Sequence, residues 1–128
     1  MNAFASALSV TASGLEAQAR RLLHVSENIA NADTPGYRRK TVAFEAARGD
    51  GTAEVAVGDV QLDRSDLPRI YDPAHPLAGE DGTYEGSSVN LMIEIADARE
   101  AQRSYEANLK MFEQTRQMSS SLLEILRR

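Results

Sequence analysis

Residues 91–128 decide the fold of this chain and read LMIEIADAREAQRSYEANLKMFEQTRQMSSSLLEILRR. Apolar residues recur here at alternating steps of three and four, in one phase from Leu91 to Leu126. That rhythm predicts one long amphipathic helix from about Asn90 to the end of the chain. Three residues interrupt the apolar stripe: Gln102, Arg116 and Ser119. Either these residues specify the register of the packed helices, as polar core residues do in coiled coils, or the stripe meets solvent at these positions.

A second long helix is predicted from Ala3 to about Asn31, a stretch with no proline and a single glycine. Its apolar stripe repeats every seven residues, at Leu8, Leu15, Leu22 and Ile29. Small residues repeat between them, at Ala5, Ala12, Ala19 and Ser26. Small side chains allow a neighbouring helix to approach closely. The run Asp33-Thr34-Pro35-Gly36 then ends the helix.

The segment between the helices contains short runs typical of strands, at residues 41–46 and 53–63. The alternation of valines shifts by one residue at Gly58-Asp59, which indicates a β-bulge or a tight turn. Residues 49–51, Gly-Asp-Gly, could form a hairpin turn. Residues 67–76 are proline-rich and predict an irregular extended loop, which residues 79–82 close.

These elements predict a mainly α fold. Two long terminal helices pack as an elongated, coiled-coil-like hairpin, with a small β-rich or irregular middle segment. We divide the chain into residues 1–36 (N-terminal helix and turn), 37–87 (middle segment) and 88–128 (C-terminal helix). The first and last parts are expected to form one helical core domain.

The composition argues against several classes of partner. The net charge of -5 and the pI near 5.0 disfavour nucleic acid, which needs a basic face. Only 5% of the residues are aromatic, which suits close helix packing better than a small-molecule pocket. No stretch is apolar enough for a transmembrane helix. The first 20 residues lack a basic region followed by an apolar one, so no cleavable signal peptide is expected.

Catalysis is not expected, because the candidate residues lack a catalytic arrangement. The two histidines, His24 and His75, stand in no known catalytic or metal-binding motif, and the chain has no cysteine. No metal or cofactor is therefore predicted. Glu94, Asp97 and Glu100 share a helix face that we interpret as a solvated acidic stripe. The run 38–40, Arg-Arg-Lys, could bind an acidic neighbour or a phospholipid headgroup, although such a run is usually solvated.

The lengths of the helices indicate assembly. A helix of roughly 36 residues is about 54 Å long, which exceeds the width of a compact domain of this size. Two paired helices cover only part of each other's apolar surface, so other chains are expected to cover the rest. The predicted subunit-interface residues are the apolar stripe positions: Leu8, Leu15, Leu22, Ile29, Leu91, Ile95, Tyr105, Leu109, Phe112, Leu123 and Leu126.

Two stretches carry a family resemblance. Residues 26–37, SENIANADTPGY, closely resemble the N-terminal signature of the flagellar axial proteins, which comprise rod, hook and hook-associated proteins. Residues 89–108, VNLMIEIADAREAQRSYEAN, resemble the C-terminal helix of the same group. The short length and the central residues 71–77 and 82–84 are most similar to the proximal rod proteins. The resemblance to basal-body rod proteins spans nearly the whole chain.

This resemblance implies a structural role. In the family the terminal helices form the inner layer of a helical tube that crosses the periplasm and transmits torque, and the middle segment lies outside it. The implied partners are other copies of the chain, other rod proteins and the flagellar type III export apparatus, which exports such subunits unfolded and without a cleavable signal peptide.

The signature also has a physical interpretation. Its asparagines can bond backbone groups at the helix end, its proline restricts φ, and its glycine permits a left-handed turn. Together these residues would set the angle at which the middle segment leaves the helix; the alternative is an ordinary helix end. The turn residues are Asn28, Asn31, Thr34, Pro35, Gly36 and Tyr37.

The heptad pattern alone would also permit a self-standing coiled-coil adaptor or scaffold protein. Only the turn signature and the match in the C-terminal helix argue against that alternative.

Overall fold

A computed structural model describes residues 2–47 and 53–128 of the chain. Two long helices lie at its ends: α1 spans Asn2–Ala30 and α2 spans Leu91–Arg127. Among the described residues between them lie six short strands: β1 Lys40–Thr41, β2 Phe44–Ala46, β3 Val55–Val57, β4 Gln61–Leu62, β5 Arg69–Tyr71 and β6 Thr83–Glu85. The predicted mainly α hairpin of two terminal helices with a small strand-containing middle segment is confirmed.

Helix α2 begins where the sequence predicts, because Asn90 caps it. The backbone of Asn90 is extended, and its side-chain oxygen accepts a hydrogen bond from the N–H of Met92 at 3.0 Å. This bond satisfies one of the amides that the first helical turn leaves without a partner. At the other end, Arg127 lies in the last turn, where a cation interacts favourably with the helix dipole.

The two helices pack antiparallel in one register. Asn28 of α1 contacts Glu94 of α2, and Gly14 of α1 contacts Asn108 of α2. A step of 14 residues toward the start of α1 therefore matches a step of 14 residues toward the end of α2. Continuing this register places the start of α1 level with about residue 120. Residues 121–127 of α2 therefore extend beyond the end of α1 and are exposed.

The face of α2 that packs on α1 is small or polar and lies to one side of the apolar stripe. Glu94 and Ala101, seven residues apart on that face, are both fully buried. On the stripe itself, Tyr105 and Phe112 are half-buried. Gln102 and Arg116 are exposed, which favours the solvent interpretation of the interruptions at these two positions.

Strands β1 to β4 form one antiparallel ribbon with a bulge. β1 pairs with β4, and β2 pairs with β3. Between the β1–β4 pair and the β2–β3 pair, residues 42–43 of one chain segment lie opposite residues 58–60 of the other, so one segment has an extra residue. The Gly58 N–H donates to the Ala43 carbonyl at 2.9 Å within this irregular part. The extra residue confirms the predicted shift at Gly58-Asp59, whereas the predicted turn at residues 49–51 lies outside the described residues.

The ribbon packs against α1 through β3. The Val55 N–H donates to the Ser13 hydroxyl at 3.0 Å, and the Ser9 hydroxyl donates to the Glu54 carboxylate. Ala17 lies beneath this contact and is 1% exposed. Small residues on this face of α1 therefore let the ribbon approach the helix closely.

Strands β5 and β6 form a second antiparallel pair, in which Ile70 lies opposite Tyr84. The prediction of an irregular loop is wrong for residues 69–71, because a three-residue strand is too short to show an alternating pattern and becomes a strand only through its partner. The prediction that residues 79–82 close this loop is confirmed. There, the Gly82 N–H donates to the Gly79 carbonyl at 3.0 Å, and Asp81 accepts from the Thr83 N–H at 3.1 Å.

We expect Gly82→Ala to destabilise the chain more than Gly36→Ala. Both glycines have left-handed backbones, with φ of +74° and +76°, which cost a residue with a side chain about 1–2 kcal/mol. A Cβ at Gly82 would lie 3.1 Å from the ring of Pro73, whereas a Cβ at Gly36 meets nothing within 4 Å. Urea unfolding of both variants gives the comparison, and equal losses would contradict this account of the Gly82 turn.

Candidate functional site

The turn after α1 is built from backbone hydrogen bonds between nearby residues. The Asn31 N–H donates to the Glu27 carbonyl, and the Thr34 N–H donates to the Asn31 carbonyl at 3.0 Å. Gly36 follows in the left-handed conformation, as the turn signature leads one to expect. Its N–H donates to the carbonyls of Glu85 and Gly86, each at 3.2 Å. The turn is therefore bonded to the end of β6 and not only to its own helix.

Asn28 occupies the centre of the site and is completely buried. Its side-chain N–H groups donate to the Lys40 carbonyl at 2.9 Å and to Glu94 at 3.3 Å. Its oxygen accepts from the Tyr37 hydroxyl and from the Lys40 N–H, both at 2.9 Å. The amide thus uses both donors and both acceptor sites. One side chain joins α1, the turn, β1 and α2.

Arg39 and Glu94 form the charged part of the site. The Arg39 Nε–H donates to the carboxylate of Glu94, which is 0% exposed, and its Nη2 donates to Asp97 at 2.7 Å. Burial would lower the pKa of Arg39, but the hydrogen bond and charge of Glu94, helped by Asp97 and Asp63, raise it above its ordinary value. Arg39 therefore stays charged and compensates the buried carboxylate.

A second ion pair lies at the edge of the site. The Lys40 ammonium donates to Glu27 at 2.7 Å, and this hydrogen bond lowers the pKa of Glu27 and raises that of Lys40. Burial raises the pKa of the Tyr37 hydroxyl. We call the seven residues of these contacts the junction: Glu27, Asn28, Tyr37, Arg39, Lys40, Glu94 and Asp97.

The structure brings the predicted turn residues together. Asn28 is buried; Asn31, Pro35 and Tyr37 are half-buried; Thr34 and Gly36 are exposed. Thr34 donates its hydroxyl to the Asn31 side chain at 3.1 Å.

The predicted interface stripe is divided between covered and uncovered positions. The half-buried residues are Leu8, Leu15, Leu22, Tyr105 and Phe112. The exposed residues, 37–70% accessible, are Ile29, Leu91, Ile95, Leu109, Leu123 and Leu126. In a single chain the stripe on α2 is mostly uncovered.

One interpretation from the sequence is wrong: Glu94 is not part of a solvated stripe, although Glu100 on the same helix is 69% exposed at its side chain. For the run 38–40, where the sequence left two alternatives open, the structure agrees with contacts to acidic neighbours. Arg39 pairs with Glu94 and Asp97 of α2, and Arg38 donates to the carbonyls of Asp63 and Ser65. The sequence does contain a hint of this ion pair: a basic run follows the turn, and two carboxylates, Glu94 and Asp97, are spaced i, i+3 on the second helix. Only the tertiary structure shows that the two groups meet.

The junction offers a mechanical connection and no reactive arrangement. His75, outside it, stacks on Tyr84 with ring centres 3.9 Å apart, and its Nδ1 accepts from the Leu77 N–H. Across residues 2–47 and 53–128, no cluster of three metal-ligating side chains occurs. Within the same ranges, neither helix is long and apolar enough to cross a membrane.

We expect Asn28→Ala to lower the free energy of unfolding by about 3 kcal/mol or more, because several buried partners lose their hydrogen bonds at about 1–3 kcal/mol each. The matched control is Asn31→Ala, which removes one bond to the Glu27 carbonyl and one to Thr34 at a half-buried position. The control should cost about 1 kcal/mol. Urea unfolding measures both, and a similar small loss in the two variants would contradict the central role of Asn28.

Two known families match the two helical regions. Residues 8–38 match the family described as flagella basal body rod protein, which covers most of α1 and the turn. Residues 80–125 match the family described as flagellar basal body rod FlgEFG protein C-terminal, which covers β6 and most of α2. Arg39 and Lys40 follow directly after the first of these regions, and the other junction residues lie within the two regions.

Relatives similar to the whole chain carry the name flagellar basal-body rod protein FlgC. The protein of Agrobacterium fabrum is 45% identical over 99% of this chain and 98% of its own length. Those of Bacillus subtilis and Salmonella typhimurium are 35% and 32% identical, and they cover 98% and 91% of this chain. With such relatives along nearly its whole length, the chain belongs to the FlgC family of flagellar basal-body rod proteins.

Proposed function

We propose that this structural rod subunit assembles with copies of itself and with other rod proteins through the outer faces of its two terminal helices. Family membership makes the role structural and not enzymatic, and it does not favour the alternative of a self-standing adaptor.

The observation that carries the proposal is the apolar surface that α2 leaves uncovered. Monomeric proteins rarely expose large contiguous apolar patches, so such surfaces indicate contacts with other chains. The residues concerned are each at least 37% exposed and lie in two stretches of α2, 91–95 and 109–126: Leu91, Met92, Ile93, Ile95, Leu109, Met111, Met118, Leu122, Leu123, Ile125 and Leu126.

These residues form two separate flanks, one on each side of the line where α2 meets α1. At about 100° per residue, Leu91, Ile95 and Leu109 project to one side, and a second group projects to the other. That second group is Met111, Met118 and Ile125. Two unlike surfaces favour head-to-tail contacts, which continue into rings or helices instead of closing as a dimer. This geometry supports a helical tube.

The junction would give every copy the same shape. Within the proposed division into residues 1–36, 37–87 and 88–128, the junction joins all three parts. Its hydrogen bonds hold the middle segment at one angle to the helices, and Gly36 supplies the left-handed backbone that the angle needs. We infer that the helices face the inside of the tube, and that the middle segment faces outward.

The family resemblance further implies where the subunit works. We infer that the flagellar type III export apparatus delivers it without a cleavable signal peptide, and that it becomes part of a rod that crosses the periplasm and transmits torque. Fractionation of cells for the soluble periplasmic form and for purified basal bodies would separate delivery from incorporation.

We expect Leu109→Asp to abolish incorporation into basal bodies and motility while leaving the monomer folded. Leu109 is 37% exposed in the single chain, so a carboxylate there remains hydrated until an apolar neighbour would bury it without a partner. The matched control is Leu77→Asp, the same change at a residue of the middle segment that is 63% exposed. Motility assays and basal-body purification test this; a motile Leu109→Asp strain would contradict the proposed interface.

We expect Gly36→Val to impair incorporation more than export. A β-branched residue at φ +76° costs on the order of 1–3 kcal/mol or distorts the turn, and the error repeats in every subunit. Gly36→Asn, which tolerates the left-handed region, is the control and should incorporate normally. The measurements are the amount of each variant in the periplasm and in purified basal bodies. Normal incorporation of Gly36→Val would make the turn an ordinary helix end.

A further inference from the structure

We propose that Glu94, with Arg39 and Asn28 as its partners, determines the register in which α2 packs against α1. The inference concerns contacts within one chain. It does not depend on the assembly proposed above, and it can be tested on the isolated protein.

The contact surface between the helices distinguishes poorly between registers. Registers that keep the same face of α2 against α1 differ by seven residues, which is a slide of about 10 Å. Along the observed register, Gly14 lies against Asn108, and Ala7 lies level with Thr115. These are small or polar residues, so a slide by seven positions would again place small or polar residues opposite each other.

Arg21, level with Ala101, also pairs across the helices with Asp97 at 3.5 Å and with Glu100 at 3.4 Å. These longer contacts join partly exposed side chains, so they distinguish less strongly between registers than a buried pair does.

Glu94 breaks this equivalence. Among the α2 residues that recur every seven positions on this face, it is the one with a charge; the others are Ala101, Asn108 and Thr115. It is also fully buried, and it accepts hydrogen bonds from Arg39 and Asn28. A slide by seven residues in either direction would take Glu94 away from both partners. Loss of one partner of a buried charged pair is strongly unfavourable.

Arg39 is held in a position that makes this contact selective. Its backbone N–H donates to the Ser88 hydroxyl at 2.8 Å, and the next residue, Lys40, is bonded to Asn28 through both its N–H and its carbonyl. The planar guanidinium then bonds Glu94 and Asp97, which lie one helical turn apart. Contact with two carboxylates at this spacing specifies the position of α2 along its axis and also its rotation.

The absence of cysteine allows a direct readout of register with engineered cysteine pairs. Gly14→Cys with Asn108→Cys reports the observed register, since a Cβ at position 14 would lie 3.3 Å from Asn108 Cγ. Gly14→Cys with Thr115→Cys, and Ala7→Cys with Asn108→Cys, report slides by seven residues in the two directions. Each pair is oxidised in the purified full-length monomer, and the cross-linked fraction is measured by gel mobility.

The test compares each pair in the otherwise native chain and in an Arg39→Met, Glu94→Leu background. We expect the native chain to form the first cross-link almost alone. In the altered background, helicity by circular dichroism should persist, and the slipped cross-links should rise about tenfold or more, a change equivalent to about 1.4 kcal/mol. Glu94→Gln, which keeps the shape and a hydrogen-bond acceptor but loses the charge, should give a smaller rise. The control background is Arg20→Met, Glu16→Leu, which removes an exposed ion pair of α1 and should leave the pattern native.

Two results would overturn the proposal. If the altered background keeps its helicity and forms only the native cross-link, the register is set by the remaining helix contacts and by the bonds of Ser87 and Ser88 to the turn. If it loses its helicity, the ion pair supplies stability and not register. Neither result bears on the outer faces of the helices, so failure here and failure of the proposed assembly can be told apart.

Discussion

A carboxylate that is removed from water must be compensated, and the rest of this structure depends on how Glu94 meets that requirement. An unpaired buried charge would be prohibitively unfavourable, so Glu94 can be buried only while Arg39 and Asn28 reach it. Arg39 directly precedes β1, and Asn28 lies near the end of α1. The contact therefore requires that the turn, β1 and both helices take up their positions together, which is why Asn28 uses every hydrogen-bonding group it has.

A helical hairpin that is stable on its own buries its large apolar side chains between the helices, whereas this chain exposes many of them. Among the described residues the buried apolar side chains are only Ala17, Val25 and Ala101, while large apolar residues of α2 face outward. A small interior contributes little hydrophobic stabilisation, so polar contacts such as those of the junction carry an unusual share of the specificity. In the assembly that we propose, the outward residues would gain their stabilisation when another chain covers them.

Much of the fold could be predicted because it depends on local chemistry. The limits of both helices follow from periodicity, from the cap at Asn90 and from the turn at Pro35-Gly36, and the bulge at Gly58 follows from a shift in alternation. Strand β5 could not be predicted, since its three residues become a strand only by pairing with β6. The candidate site was found in part: the turn residues stood out, but Glu94 did not, because helical spacing is the same for a solvated carboxylate and a buried one.

The two long helices, the turn between the first helix and the middle segment, and membership of the rod family can all be recognised from the sequence alone, since each is encoded in contiguous residues. Which face of α2 meets α1, and which charges are buried, depends on the three-dimensional packing. Side chains on several faces of that helix could form a contact, and the choice rests on partners that lie 55 residues away in the case of Arg39 and Glu94. Burial is a property of the assembled surroundings, and the periodicity of a single helix does not contain it.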